Sequence, residues 1–187
     1  MVKIMFILGS SREGRNGDKV AKWVMSHASK KKEFASEFID LKEMNFNFLS
    51  ESTPPIMGQY QSEKTKKWAA KVAESDGFVW ISPEYNHGYP AVMKNALDLI
   101  YKEWNNKPVA IVSYGGAAGG IRCAEQLRLV AIELQMAPIR EQVFIPEVWA
   151  AFDESGRLNE EQKQASQLEK VFEQLLWWTN ALKKSRA

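Results

Sequence analysis

Apolar and polar positions alternate in blocks along this chain, and the blocks change period in a regular way. Lys3 to Leu8 is a nearly unbroken apolar run, as in a strand buried on both faces of a sheet. Val20, Trp23, Val24 and Ala28 then recur at helical spacing. Phe34 to Leu41 reads as a second strand. Residues 44–60 are long and irregular, with Pro54, Pro55 and Gly58, which marks a functional or interface segment. Glu63 to Glu74 is predicted helical, with Trp68, Ala69, Val72 and Ala73 facing inward. Gly77 to Ser82 is a third strand, followed by a loop over 83–90 and a helix over Ala91 to Tyr101. Val109 to Ser113 is a fourth strand, and Ala124, Leu127, Ala131 and Leu134 mark the helix after it. Pro138 to Ile145 is a fifth strand. A last helix over about 157–184, capped by Asn159, carries Leu168, Val171, Phe172, Leu175, Trp178 and Leu182.

Strict alternation of strand and helix implies a parallel sheet covered on both faces. The fold expected is a doubly wound α/β sandwich of flavodoxin-like form, with five parallel strands in the order 2-1-3-4-5. No repeat or linker interrupts residues 1–187, so one domain is expected. In that order strands 1, 3 and 4 are neighbours. The loops that follow them, at 9–18, 83–90 and 113–120, then meet at the carboxyl edge of the sheet, where such folds bind ligands.

Composition narrows the chemistry. Apolar residues make up 45% and charged residues 26%, and the formal net charge is +2, too small to suggest a nucleic-acid partner. One cysteine excludes an internal disulfide framework and fits a reducing compartment. Ile4 to Leu8 is too short for a signal segment or a membrane span, so the protein reads as cytoplasmic, without membrane insertion. No His/Cys/Asp cluster has metal-ligand spacing.

Each of the three loops suits part of one ligand. The first carries Ser10, Ser11, Arg12, Arg15, Asn16 and Gly17 at the start of a helix, which suits an anion. It lacks the Walker ending, so a monophosphate is the modest reading. A turn merely supported by Ser10 and Ser11, with solvated arginines, is the equal alternative. The second loop, Pro83-Glu84-Tyr85-Asn86-His87-Gly88-Tyr89-Pro90, is stiffened by proline at both ends and carries flat aromatics, an amide, an imidazole and a carboxylate. The third, Ser113-Tyr114-Gly115-Gly116-Ala117-Ala118-Gly119-Gly120, lets backbone approach a ligand closely, though in isolation it reads as a tight turn. Its spacing is not that of a dinucleotide fingerprint. A phosphate at the first loop and a plane between the other two describe flavin mononucleotide (FMN).

Pro83-Glu84-Tyr85-Asn86 with Pro90 and Lys94-Asn95-Ala96-Leu97-Asp98 resembles the signature of the NADPH-dependent FMN reductase family. Gly9-Ser10-Ser11-Arg12 and Ser113 to Gly120 are similar to that family's other two motifs, in the same order. Met93 stands where leucine is usual, and Arg15-Asn16-Gly17 replaces a serine-asparagine. The resemblance implies tightly bound FMN, NAD(P)H as electron donor and a quinone, free flavin, azo compound or chromate as acceptor. It implies that Ser10, Arg12, Arg15, Asn16 and Gly17 hold the phosphate. Pro83, Glu84, Tyr85 and Asn86 would line the ribityl chain and ring, mostly through backbone. Ser113, Tyr114, Gly115 and Gly116 would border the pyrimidine. It implies a homodimer or homotetramer and ping-pong turnover at one flavin face, with no catalytic side chain required. Tyr85 and His87 are candidate substrate contacts, although His87 reads first as a loop residue at the rim. His27, Cys123 and the tryptophans read as packing or oligomer contacts. A flavodoxin-type carrier, or an FMN-binding sensor without NAD(P)H turnover, is the alternative, but such carriers tend to be acidic.

Overall fold

The computed structural model describes residues 1–186. Five parallel strands, β1 (Val2–Leu8), β2 (Phe34–Asp40), β3 (Gly77–Pro83), β4 (Pro108–Tyr114) and β5 (Ala137–Ile145), form one sheet in the order β2-β1-β3-β4-β5. The helices are α1 (Gly17–Ala28), α2 (Leu41–Met44), α3 (Glu63–Ala73), α4 (Ala91–Asp98), α5 (Ile121–Glu133) and α6 (Glu161–Arg186).

The unbroken apolar strands are explained by a core on each side of the sheet. Side chains alternate across a strand, so Ile4, Phe6 and Leu8 of β1 pack towards α1 and α6 with Val24, Leu168 and Phe172. Met5 and Ile7 point the other way, into a cluster with Trp68, Trp80, Trp104 and Leu127. Trp68 donates its indole N–H to the Ala96 carbonyl at 2.9 Å, which locks α3 onto α4.

Three boundaries differ from the periodicity. The helix after residue 90 ends at Asp98, and Lys102–Trp104 forms a separate 3-10 turn that buries Trp104 completely. The short α2 follows β2 directly, because the Asp40 carboxylate caps it by accepting from Lys42 N. The last helix begins at Glu161, and Asn159 is not its cap. The Asn159 amide donates to the Ala150 carbonyl at 2.7 Å, tying a small hairpin closed by the Phe152–Leu158 bridge. Glu161 accepts from the Trp23 indole and lies 2.9 Å from His27 Nε2, so His27 is a packing residue joining α1 to α6.

Register fixes what meets at the carboxyl edge. Leu8 pairs with Ile81, Ser82 with Ser113, and Pro83 with Tyr114. β1, β3 and β4 therefore end side by side, and their three loops leave the sheet together.

Candidate functional site: a crevice of backbone donors at the sheet edge

The first loop is a string of free amides. Among the described residues, no backbone N–H from Ser10 to Asp18 meets an acceptor, and Asn16 makes no side-chain cap to α1. Unpaired donors at a helix N-terminus carry positive partial charge and attract an anion. Arg12 stands exposed beside them, its guanidinium donating, among the described residues, only to the Gly14 carbonyl at 3.2 Å.

Arg15 is placed differently from Arg12. Its guanidinium is only 6% exposed and binds the Asp40 carboxylate, Asp18 and the Ser10 carbonyl. The Asp40 pairing is the main reason its pKa lies above the ordinary arginine value, against the cost of burial. A side chain held this way pins the loop to the end of β2 and is not free to point at a ligand. Ser10 is likewise fully buried, with its hydroxyl 2.8 Å from the Tyr85 hydroxyl. These two residues fix the loop's shape, which leaves Arg12, Asn16 and the amides open to an anion.

The second loop is rigid for a reason its composition hinted at. Tyr85 and Gly88 exchange backbone hydrogen bonds at 2.9 and 3.0 Å, and Asn86 and His87 between them both take positive φ, +50° and +66°. That is the backbone of a tight hairpin turn. Gln126 of α5 holds its tip by donating to the His87 carbonyl at 2.8 Å. Asn86 and His87 are exposed, and their N–H groups meet no acceptor among the described residues.

Glu84 does not offer its carboxylate to the crevice. It accepts from Arg122 N, Cys123 N and the Arg122 guanidinium at 3.0, 3.3 and 3.0 Å. Burial works against its charge, yet Arg122 and the two amides outweigh it and hold the pKa below the ordinary carboxylate value. No pattern in the sequence marks this contact, because Arg122 lies 38 residues away.

The third loop completes the crevice. Gly119 and Gly120 take positive φ, +61° and +86°. A Cβ on Gly120 would lie 2.9 Å from Tyr114 N, so only glycine fits that close turn. The N–H groups of Gly116, Ala117 and Ala118 meet no acceptor among the described residues. Tyr114 turns inward. It is 3% exposed, its hydroxyl has no partner among the described residues, and burial raises its pKa. Ser113 supports the turn by donating to the Gly119 carbonyl at 3.0 Å. Cys123, beneath the site, is buried, and burial pushes its thiol up to about 12, so it is no nucleophile.

Sequence reasoning missed Trp149. It stands on the turn after β5, 64% exposed, with its ring edge 3.7 Å from where a Gly116 Cβ would be. Glu147 N and Val148 N donate to the Gly116 and Gly115 carbonyls at 3.0 Å each, so the turn is welded to the glycine loop. It also missed that Asn95 of α4 anchors the irregular segment, accepting from Leu49 N at 3.1 Å and donating to the Asn47 carbonyl at 3.0 Å.

Unpaired amides at the start of α1 and in the second and third loops, which leave adjacent strand ends, suit a phosphorylated planar cofactor. The NADPH-dependent FMN reductase family profile matches residues 2–150. The chain belongs to that family. It is an oxidoreductase, and FMN and NAD(P)H are the family's cofactor and electron donor. It is 44% identical over 148 residues to an NAD(P)H-dependent FMN reductase of Schizosaccharomyces pombe, covering 77% of this chain and 74% of that one. A quinone reductase of Pseudomonas putida is 26% identical over 84% of each chain. The solved structure of FerB, a flavoenzyme NAD(P)H:(acceptor) oxidoreductase from Paracoccus denitrificans, superposes with a TM-score of 0.76 at 20% identity, over 97% of this chain and 98% of that one, which shows the shared fold.

Proposed function

We propose that this reductase retains FMN in the crevice and turns over by a ping-pong route, from NAD(P)H to a quinone or a similar flat oxidant. When bound, FMN supplies two-electron chemistry between a nicotinamide and an acceptor. The chain supplies the rest. Arg12, Asn16 and the amides from Ser10 to Asp18 hold the phosphate. Tyr85, with its hydroxyl on Ser10, walls the ribityl path. The free N–H groups of Gly116 and Ala117 provide partial positive charge along the pyrimidine edge, where negative charge collects on reduction. Pro83, Glu84 and Arg122 keep the second and third loops at fixed separation. His87, exposed at the turn tip, borders the open face used by both substrates. The observation that carries this reading is the uninterrupted run of unpaired amides at the start of α1.

We further infer a homo-oligomer acting in the cytoplasm. The segment held by Asn95 exposes Phe48, Leu49, Ile56 and Met57, an apolar set suited to a second copy. No described helix is long and apolar enough to cross a membrane. Among the described residues no group of His, Cys, Asp and Glu could hold a metal.

The test is anaerobic. Purified protein is expected to be yellow, to bleach with NADPH or NADH, and to regain colour on addition of a quinone. Colour that neither nucleotide bleaches would instead favour an electron carrier or sensor.

A further inference from the structure

Three hydroxyls, one from each of the three adjacent strand ends, gather beneath the start of α1. Ser10 and Tyr85 lie 2.8 Å apart, oxygen to oxygen, and either can be the donor. Tyr114, at the end of β4, sends its hydroxyl to the first turn of α1, where a Cβ on Gly17 would overlap it. That hydroxyl is buried and meets no partner among the described residues. Burial is the main reason its pKa is raised; neighbouring Tyr85 adds to the rise, and Ser10 opposes it. Ser10 thus lies close by, but its bond goes to Tyr85. Arg15, also nearby, is committed to Asp40, Asp18 and the Ser10 carbonyl.

A buried hydroxyl without a partner costs free energy, and folded proteins rarely keep one. The proton count of the three groups shows what satisfies it. Each hydroxyl has one proton and two lone pairs. When Ser10 donates to Tyr85, a lone pair of Ser10 is open to the Tyr114 proton, and the Tyr85 proton is left to point outward. Tyr85 alone of the three reaches the surface, 36% exposed, while Ser10 and Tyr114 are buried. An anionic acceptor outside Tyr85 therefore draws all three bonds into one direction, from Tyr114 through Ser10 and Tyr85 to the ligand, and each bond strengthens the next. With no acceptor there, Tyr85 gives its proton back to Ser10 and Tyr114 is left over, which matches the unpartnered hydroxyl.

We propose that Tyr114, Ser10 and Tyr85 form a hydroxyl relay that turns the Tyr85 O–H onto a phosphate oxygen of the bound cofactor. Tyr85 is then a phosphate ligand from the second loop, and Tyr114 is a positioning residue that acts through Ser10. The inference rests on the reading of the crevice as an FMN site. It adds a donor to that site and gives a reason for the hydroxyl on Tyr114.

The experiment is fluorescence titration of flavin-free protein with FMN and with riboflavin. The proteins are wild type, Tyr85→Phe, Tyr114→Phe, Ser10→Ala and the double variant Ser10→Ala, Tyr114→Phe, each also melted without flavin. Tyr85→Phe is expected to lower FMN affinity roughly tenfold, as loss of a charge-assisted donor implies, and to leave riboflavin unchanged. Tyr114→Phe is expected to lower FMN affinity roughly fivefold, with riboflavin unchanged and flavin-free melting unchanged or raised. Once Ser10 is alanine, Tyr114→Phe should have no further effect on FMN. A packing role for Tyr114 would instead lower melting and weaken both flavins alike, which would overturn the relay. An undiminished Tyr114→Phe effect in the Ser10→Ala background would overturn it too. A wild-type preference for FMN that survives both Tyr85→Phe and Tyr114→Phe overturns the relay alone. Equal binding of the two flavins by wild type overturns the phosphate site itself, and the relay with it.

Discussion

The Glu84 carboxylate accepts both the backbone N–H and the guanidinium Nη1 of Arg122, each at 3.0 Å. A residue of the second loop thereby caps α5, the helix that the third loop leads into. The negative charge also complements the positive end of α5.

Glu84→Ala should lower stability by about 1–2 kcal/mol, the usual worth of an N-terminal cap. It should also weaken FMN retention, although the side chain does not reach into the crevice. The folded-state pKa is depressed. This contribution is therefore fully present above the ordinary glutamate range and is lost as pH falls through the folded value. Chemical denaturation between pH 3 and 7, wild type against variant, checks both sign and size. A difference that does not shrink on acidification would contradict the assignment.

Arg12 and Arg15 should separate cleanly. Arg12→Ala leaves melting unchanged and lowers FMN affinity by roughly tenfold or more, with riboflavin unaffected. Arg15→Ala leaves Asp40 without its partner, and should cost about 3 kcal/mol of stability. It should weaken both flavins, because the loop itself loosens. Melting curves and flavin fluorescence titrations of the two variants distinguish the roles.

Gly17 is where α1 starts against Tyr114. An added Cβ would overlap the Tyr114 hydroxyl oxygen and lie 2.9 Å from Leu8 Cδ1. Gly17→Ala should therefore destabilise by about 1–3 kcal/mol through overpacking. Tyr114→Phe removes a buried hydroxyl that has no partner, so alone it should be neutral or stabilising, and it should recover part of the Gly17→Ala loss. Urea midpoints of the two single variants and the double variant form the cycle.

Lys107 begins the turn into β4, 7% exposed, and donates to the Val72 and Ala73 carbonyls at 2.9 Å each. Burial lowers its pKa from 10.5 to about 8. Between those values the unfolded chain holds a proton that the folded chain has released. Stability relative to Lys107→Met should then rise with pH across that window, by on the order of 3 kcal/mol. A flat difference from pH 7 to 10.5 would contradict the burial effect.

The strand order and the meeting of the three loops were legible because they follow from period and topology. An unbroken apolar run such as Ile4 to Leu8, bounded by a polar glycine-bearing loop, reads as a central strand, and the parallel register aligns Leu8, Ile81 and Val112. Side-chain roles inside the loops were less legible. Arg12 and Arg15 read alike in sequence, and only the position of Asp40 at the end of β2 decides that one is buried and the other free. The cap of α5 and the role of Asn159 were hidden for the same reason. Glu84 reaches a helix in another part of the chain, and Asn159 bonds to Ala150 instead of to the helix it precedes. Trp149 has no local marker, since its place beside Gly116 depends on two backbone hydrogen bonds from the neighbouring residues of its turn.

The central claim is that amides from Ser10 to Asp18 and Arg12 grip a phosphate while the other two loops take the ring. Titration of flavin-free protein with FMN and with riboflavin tests it most directly. The account predicts one FMN per chain, bound at least about a hundredfold more tightly than riboflavin, as two or more charge-assisted phosphate contacts imply. Equal affinity for the two flavins, or no binding of either, would contradict it.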